Sequence, residues 1–116
     1  MKSRIYHFFA VGALLTCFGC GRSATSTGKA DASSDLAAGK LAIETAGEAA
    51  TWRSTYARLL QDRHGIELRE VAGCVVDRET VQHMDAYNAV MKAEISRRFG
   101  ADMLEKTAEE AQRIHP

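Results

Sequence analysis

Ile66-Glu67-Leu68-Arg69-Glu70-Val71-Ala72-Gly73-Cys74-Val75-Val76 is the stretch on which the fold class turns. Apolar and charged residues alternate at its start and then lose phase, the pattern of a half-buried β element rather than a helix. Two readings of it compete, one bulged strand or a short hairpin turning at Ala72-Gly73. A single strand leaves backbone groups unpaired, so it needs a partner within the domain or across a homodimer. Helical patterns flank it on both sides. The expected fold class is therefore α+β, mainly helical, with about three helices and one short strand or hairpin.

Upstream, Ser34-Asp35 reads as the start of a helix running, with a break, from Leu36 to about Arg63. Gly39 and Gly47 weaken its first half, each by about 1 kcal/mol relative to Ala. In its second half Trp52, Tyr56, Leu59, Leu60 and Arg63 recur at three- and four-residue steps. His64-Gly65 ends it, with Gly65 suited to the left-handed position after a helix. Downstream, Asp77 reads as an N-cap for a helix to about Phe99, whose buried stripe is Val81, Met84, Tyr87 or Asn88, Met91 and Ile95. Arg97 and Arg98 suit its C-terminal dipole, and Gly100 suits its end. Asp102 and Glu105 open a last helix with Leu104, Ala108, Ala111 and Ile114 on one side. Residues 35–116 thus read as one small globular domain.

The N-terminus sets the compartment. Lys2 and Arg4 precede an apolar run from Ile5 to Phe18, the layout of a secretory signal. That run falls short of the roughly 20 residues that span a bilayer. It closes on Cys17-Phe18-Gly19-Cys20, and here the sequence resembles the lipobox class of bacterial lipoprotein signal peptides, which place a small residue just before an invariant cysteine. Gly19 and Cys20 match that pattern; Cys17 and Phe18 stand where the class usually has Leu and a small residue. The resemblance implies a signal peptide over residues 1–19 and a Cys20 that begins the mature chain carrying diacylglyceryl and further acyl groups such as palmitate. Gly21, in place of the Asp that retains such proteins in the inner membrane, implies the outer membrane facing the periplasm. A plain cleaved signal would instead give a free exported product.

Between anchor and domain, residues 20–34 comprise the lipidated cysteine and GRSATSTGKADASS, small and polar enough to read as a flexible tether spanning about 20 Å. Gly28-Lys29 does not make a phosphate loop, because no glycine stands five residues before Gly28 and Ala30 replaces the Ser or Thr.

The whole sequence carries 15 basic and 15 acidic residues, and loss of Lys2 and Arg4 leaves 13 against 15. A slight acidic excess argues against nucleic acid as a partner, which calls for basic charge. Processing also leaves Cys74 as the one cysteine beside Cys20. Flanked by Val75 and Val76 and followed by the carboxylate of Asp77, it reads first as a buried structural thiol, with an intermolecular disulfide or a nucleophile paired to His83 as alternatives. His64, His83 and His115 lack the spacing that puts two imidazoles on one helix face, so no metal site and no cofactor is expected. Trp52, Tyr56 and Tyr87 read as walls of an apolar groove. Asn88 falls on the apolar stripe, where its amide must find partners: it fixes register, or it meets backbone or a polar ligand. Together these features describe a membrane-tethered, non-catalytic binding or interaction module of the cell envelope with a protein partner. A thiol-dependent redox or covalent activity centred on Cys74 is the alternative.

Overall fold

The computed structural model describes residues 21–115; the expected signal segment and Cys20 lie outside the described residues. The elements follow as α1 (Ala24–Ala37), β1 (Leu41–Ala46), α2 (Arg53–His64), β2 (Ile66–Ala72), α3 (Arg78–Phe99) and α4 (Met103–Ile114). The chain is α+β and mainly helical, but the described residues form four helices rather than about three. A two-stranded parallel sheet replaces the single strand or hairpin. Parallel strands need a long crossover, and α2 supplies it.

Residues 24–34, expected as part of a tether, are α-helix. Ser23 caps α1, its hydroxyl accepting from the Ser26 N–H at 3.2 Å. Composition does not reveal this helix, because α1 buries little hydrocarbon, Ala32 and part of Leu36. Its buried positions are Gly28 and Ala32, small residues four apart that let it lie close against α3. A Cβ at position 28 would overlap the backbone carbonyl oxygen of His83.

The second correction is β1, which the sequence reads as helix. Gly39 and Gly47, with φ of +74° and +88°, turn the chain on either side of it. Leu41, Ala42, Ile43 and Glu44 are all buried, so no alternation shows. That is the mark of a strand covered on both faces. Leu41 pairs with Ile66 and Thr45 with Glu70, after which one extra residue in β2 brings Ala46 opposite Ala72. Paired residues share a face, so Leu41, Ile43, Ile66 and Leu68 lie on one side and Ala42, Glu44, Glu67 and Arg69 on the other. The first set joins Leu60 of α2 in the core, with Tyr56, Met103 and Leu104 packed against it.

The remaining boundaries follow their local chemistry. Gly65 takes the left-handed conformation after α2 (φ +63°), and Asp77 caps α3, its carboxylate accepting from the Thr80 N–H at 2.7 Å. Within α3, Ala86, Tyr87, Met91 and Ile95 are buried, while Val81 is exposed. α4 folds back along α2, where Arg63 donates twice to Glu110 at 2.7 and 2.8 Å. Among the described residues no helix is long and apolar enough to cross a membrane.

Candidate functional site

Two constellations stand out, one on each face of the sheet. On the apolar face, Trp52 and Tyr56 meet edge to face, their ring centroids 5.8 Å apart. Both are half-buried. They line a cleft of about 200 Å³ with Ile43, Leu68, Arg53 and Asn88. A second cleft of about 400 Å³, lined by Ala50, Arg53, Ala57, Leu68 and Glu70, shares Arg53 and Leu68 with the first. Arg53 divides the two, donating to the carbonyls of Gly47 and Glu48 at 3.2 and 3.0 Å.

Of the expected groove walls Trp52, Tyr56 and Tyr87, the first two line one cleft, and Asn88 joins them. Tyr87 does not. It is fully buried, and its hydroxyl donates to Asp35 at 2.7 Å. Asn88 reaches the cleft but spends its amide on the backbone: Oδ1 accepts from the Glu44 N–H and Nδ2 donates to the Glu44 carbonyl, each at 2.8 Å. It acts as a one-residue substitute for a neighbouring strand along the outer edge of β1. That is the backbone partner its place on the stripe demanded.

On the polar face, α1 and α3 run parallel and meet in rungs. His83 presents Nε2 to Asp31 at 3.0 Å and Nδ1 to the buried carboxylate of Glu44 at 3.3 Å. One turn on, Tyr87 meets Asp35, which Arg69 also approaches at 3.4 Å. Arg69 lies 4.0 Å from Glu44 and stacks its guanidinium 5.8 Å from the Tyr87 ring centre. The bond from Tyr87 holds the Asp35 carboxyl below its usual range, helped by Arg69. Burial pushes the Tyr87 phenol up, as does the facing Asp35. The bond to Asp31 raises His83 above an ordinary histidine, with Glu44 adding to it. The sequence signal for this cluster was the repeated four-residue step, Asp31 to Asp35 on one helix and His83 to Tyr87 on the other. Glu44 and Arg69 had none, since nothing local marks them as facing those rungs.

Cys74 is not buried. β2 stops at Ala72, β1 being too short to pair further, and the thiol lies exposed in the loop before α3 with Val75 91% exposed beside it. No hydrogen bond joins Cys74 to His83, whose two ring nitrogens face Asp31 and Glu44 instead. The expected thiol and base are thus not brought together. Among the described residues no group of three or more His, Cys, Asp or Glu is placed to hold a metal ion.

No protein-family model, curated protein or solved structure matches this chain. The polar face is a satisfied structural layer, since no buried side-chain nitrogen or oxygen among the described residues lacks a partner. The Trp52 cleft keeps two half-buried aromatic rings at its wall.

Proposed function

We propose that this chain is a lipid-anchored protein of the cell envelope whose domain is a non-catalytic binding module for a protein partner. The anchor is Cys20, its acyl chains seated in the outer membrane facing the periplasm. The observation that carries the binding reading is the half-open Trp52–Tyr56 pair over the cleft with Ile43 and Leu68. Large, stiff aromatic side chains at the mouth of an apolar cleft gain contact area at little entropic cost, which is why they dominate protein interfaces. An apolar side chain of the partner fills the cleft, with Arg53 and Lys92 at its rim.

α1 changes the geometry expected of the anchor. Because the helix starts at Ala24, only residues 21–23 separate the acylated cysteine from folded structure. Three residues reach about 10 Å, so the domain is held against the bilayer rather than some 20 Å above it. The test has two parts. Cys20→Ser should move the protein from the membrane to the soluble fraction, and unchanged membrane retention would remove the anchor. A photo-crosslinking residue in place of Trp52 should trap one discrete partner in intact cells, where the same residue at Arg98, on the far end of α3, should not. Equal labelling at both positions would remove the groove.

The thiol-centred alternative has one observation in its favour, the exposure of Cys74. It requires a base that His83 does not supply. Alkylation faster than that of a free cysteine at neutral pH would support it, and ordinary rates would leave Cys74 a bystander.

A further inference from the structure

Both strands run toward the end of the domain at which α1 begins. Arg69 of β2 sits beside Asp35 in the last turns of α1, whereas Val71 shares a hollow of about 620 Å³ with Arg22, Ser23 and Ala24. Glu79 and Thr80 line the same hollow, because α3 sets out from that end alongside α1. The link from β2 to α3, Gly73-Cys74-Val75-Val76, therefore lies next to the first residues of α1. Its base is fixed by the Gly73 carbonyl, which accepts from the Gly47 N–H at 3.1 Å. Exposed large apolar side chains gather at this end. Among the described residues they are Val75 at 91%, Ile114 at 49%, and Val81 and Phe99 at 38% each. Val75 precedes α3 and Val81 ends its first turn, while Ile114 closes α4 where His115 meets Ser54 at the start of α2. Phe99 alone lies at the opposite end. Apolar residues scattered singly over a surface need no explanation, but a bias of this kind to one end does.

We propose that this end is a membrane-contacting face, with Val75 seated in the interface of a phospholipid bilayer as a second point of attachment beside Cys20. The inference rests on the lipid-anchored reading and adds to it the side of the domain that faces the lipid. Residues 21–23 reach about 10 Å, so an acylated Cys20 carries the start of α1, and the link beside it, to the headgroups. One acylated residue fixes a point and leaves the domain free to swivel; a seated Val75 fixes its orientation. The main chain of the link stays at headgroup depth, where water and phosphate satisfy its N–H and C=O groups, since bare backbone does not enter hydrocarbon. The valine side chain goes on to the acyl boundary. Charge does not select the lipid. Arg22 and Arg78 are balanced at this end by Asp77 and Glu79, all four exposed, so the face suits zwitterionic phospholipid as well as anionic.

The chain carries its own reporter, because Cys74 is exposed beside Val75 and an acylated Cys20 sulfur does not react. The membrane-extracted chain, its acylation checked by intact mass, is labelled at Cys74 with an environment-sensitive fluorophore. It is then reconstituted into vesicles of phosphatidylethanolamine and phosphatidylglycerol. A control carries the same label at Ala101→Cys in a Cys74→Ser background, in the corner between α3 and α4 at the opposite end. Emission from position 74 should shift to the blue and be quenched by a doxyl group borne on the lipid, while position 101 stays open to aqueous iodide. Val75→Asp should return position 74 to iodide, lowering the ratio of seated to free domain about tenfold or more, while the acyl chains keep the protein on the vesicles. Because Val75 is 91% exposed, that variant reads contact rather than folding. An intact mass without acyl groups would overturn the anchored reading and this proposal with it. In an acylated chain, equal quenching at positions 74 and 101, or emission at position 74 unmoved by Val75→Asp, would overturn the membrane face alone and leave the anchor standing.

Discussion

The sheet's two faces are closed by opposite chemistry. Leu41, Ile43 and Ile66 meet α2 across hydrocarbon, whereas Glu44 and Arg69 meet α1 and α3 across carboxylates, an imidazole and a phenol. The apolar side tolerates variation in shape, because burial is non-directional and roughly proportional to area. The polar side is directional: every group on it is placed by a particular partner, and α1 stays docked by fit rather than by greasy area. The comparison makes the α1 side the specific part of the fold and the α2 side the strong part.

Truncation on the apolar side should therefore cost most. Leu60 is fully buried, and Leu60→Ala should lower the unfolding free energy by about 2–5 kcal/mol in urea titration. On the other face the largest effect comes from the smallest residue. Gly28→Ala drives a methyl group into the His83 carbonyl oxygen and should cost about 1–3 kcal/mol, with proteolysis in α1 appearing before global unfolding. Equal protease resistance in the variant would show that α1 and the rest melt as one unit. Asn88→Ala strips the β1 edge of two hydrogen bonds and should cost about 1–2 kcal/mol, while Asn88→Asp, which keeps one acceptor, should recover part of it.

The smallest expected effect separates the faces by pH. His83 sits between Asp31 of α1 and Glu44 of β1, with Arg69 of β2 beside Glu44 and Tyr87 stacked on its own helix. Its folded-state pKa is raised, so its contribution is complete below the unfolded value near 6.5 and is lost as pH rises through the raised folded value. Asp35 works the other way: its pKa is lowered, and its contribution is present above the unfolded value and lost as pH falls through the folded one. Between roughly pH 4 and 6.5 both operate. Melting curves run from that window up to alkaline pH should show a shallow decline above it, under about 1 kcal/mol for a partly exposed pair, that His83→Gln flattens. An unchanged slope in His83→Gln would move the titration to another group.

Legibility in the sequence followed the same division. α3 and the end of α2 could be read because Met91, Ile95 and Leu60 recur with helical period and Asp77 and Gly65 mark their limits. β1 could not, since Leu41-Ala42-Ile43-Glu44 is buried on both faces and a strand of that kind has no period to detect. α1 was hidden for a related reason. Gly28 and Ala32 matter by being small, and small residues in a polar run look like a tether until their neighbour is known. Trp52, Tyr56 and Asn88 were legible as surface to be occupied, but the occupant of the Asn88 amide proved to be the chain itself. Cys74 misled because its valine neighbours suggested burial, whereas the shortness of β1 left all three without a pairing strand.

The close seat of α1 on α3 also sets an order of assembly. Its rungs join residues 52 positions apart in each case, Asp31 to His83 and Asp35 to Tyr87. As the chain emerges from a ribosome, α1 appears before the other described elements and has no hydrophobic stripe with which to hold its shape, so it must wait for α3. The first helix among the described residues is thus among the last to settle.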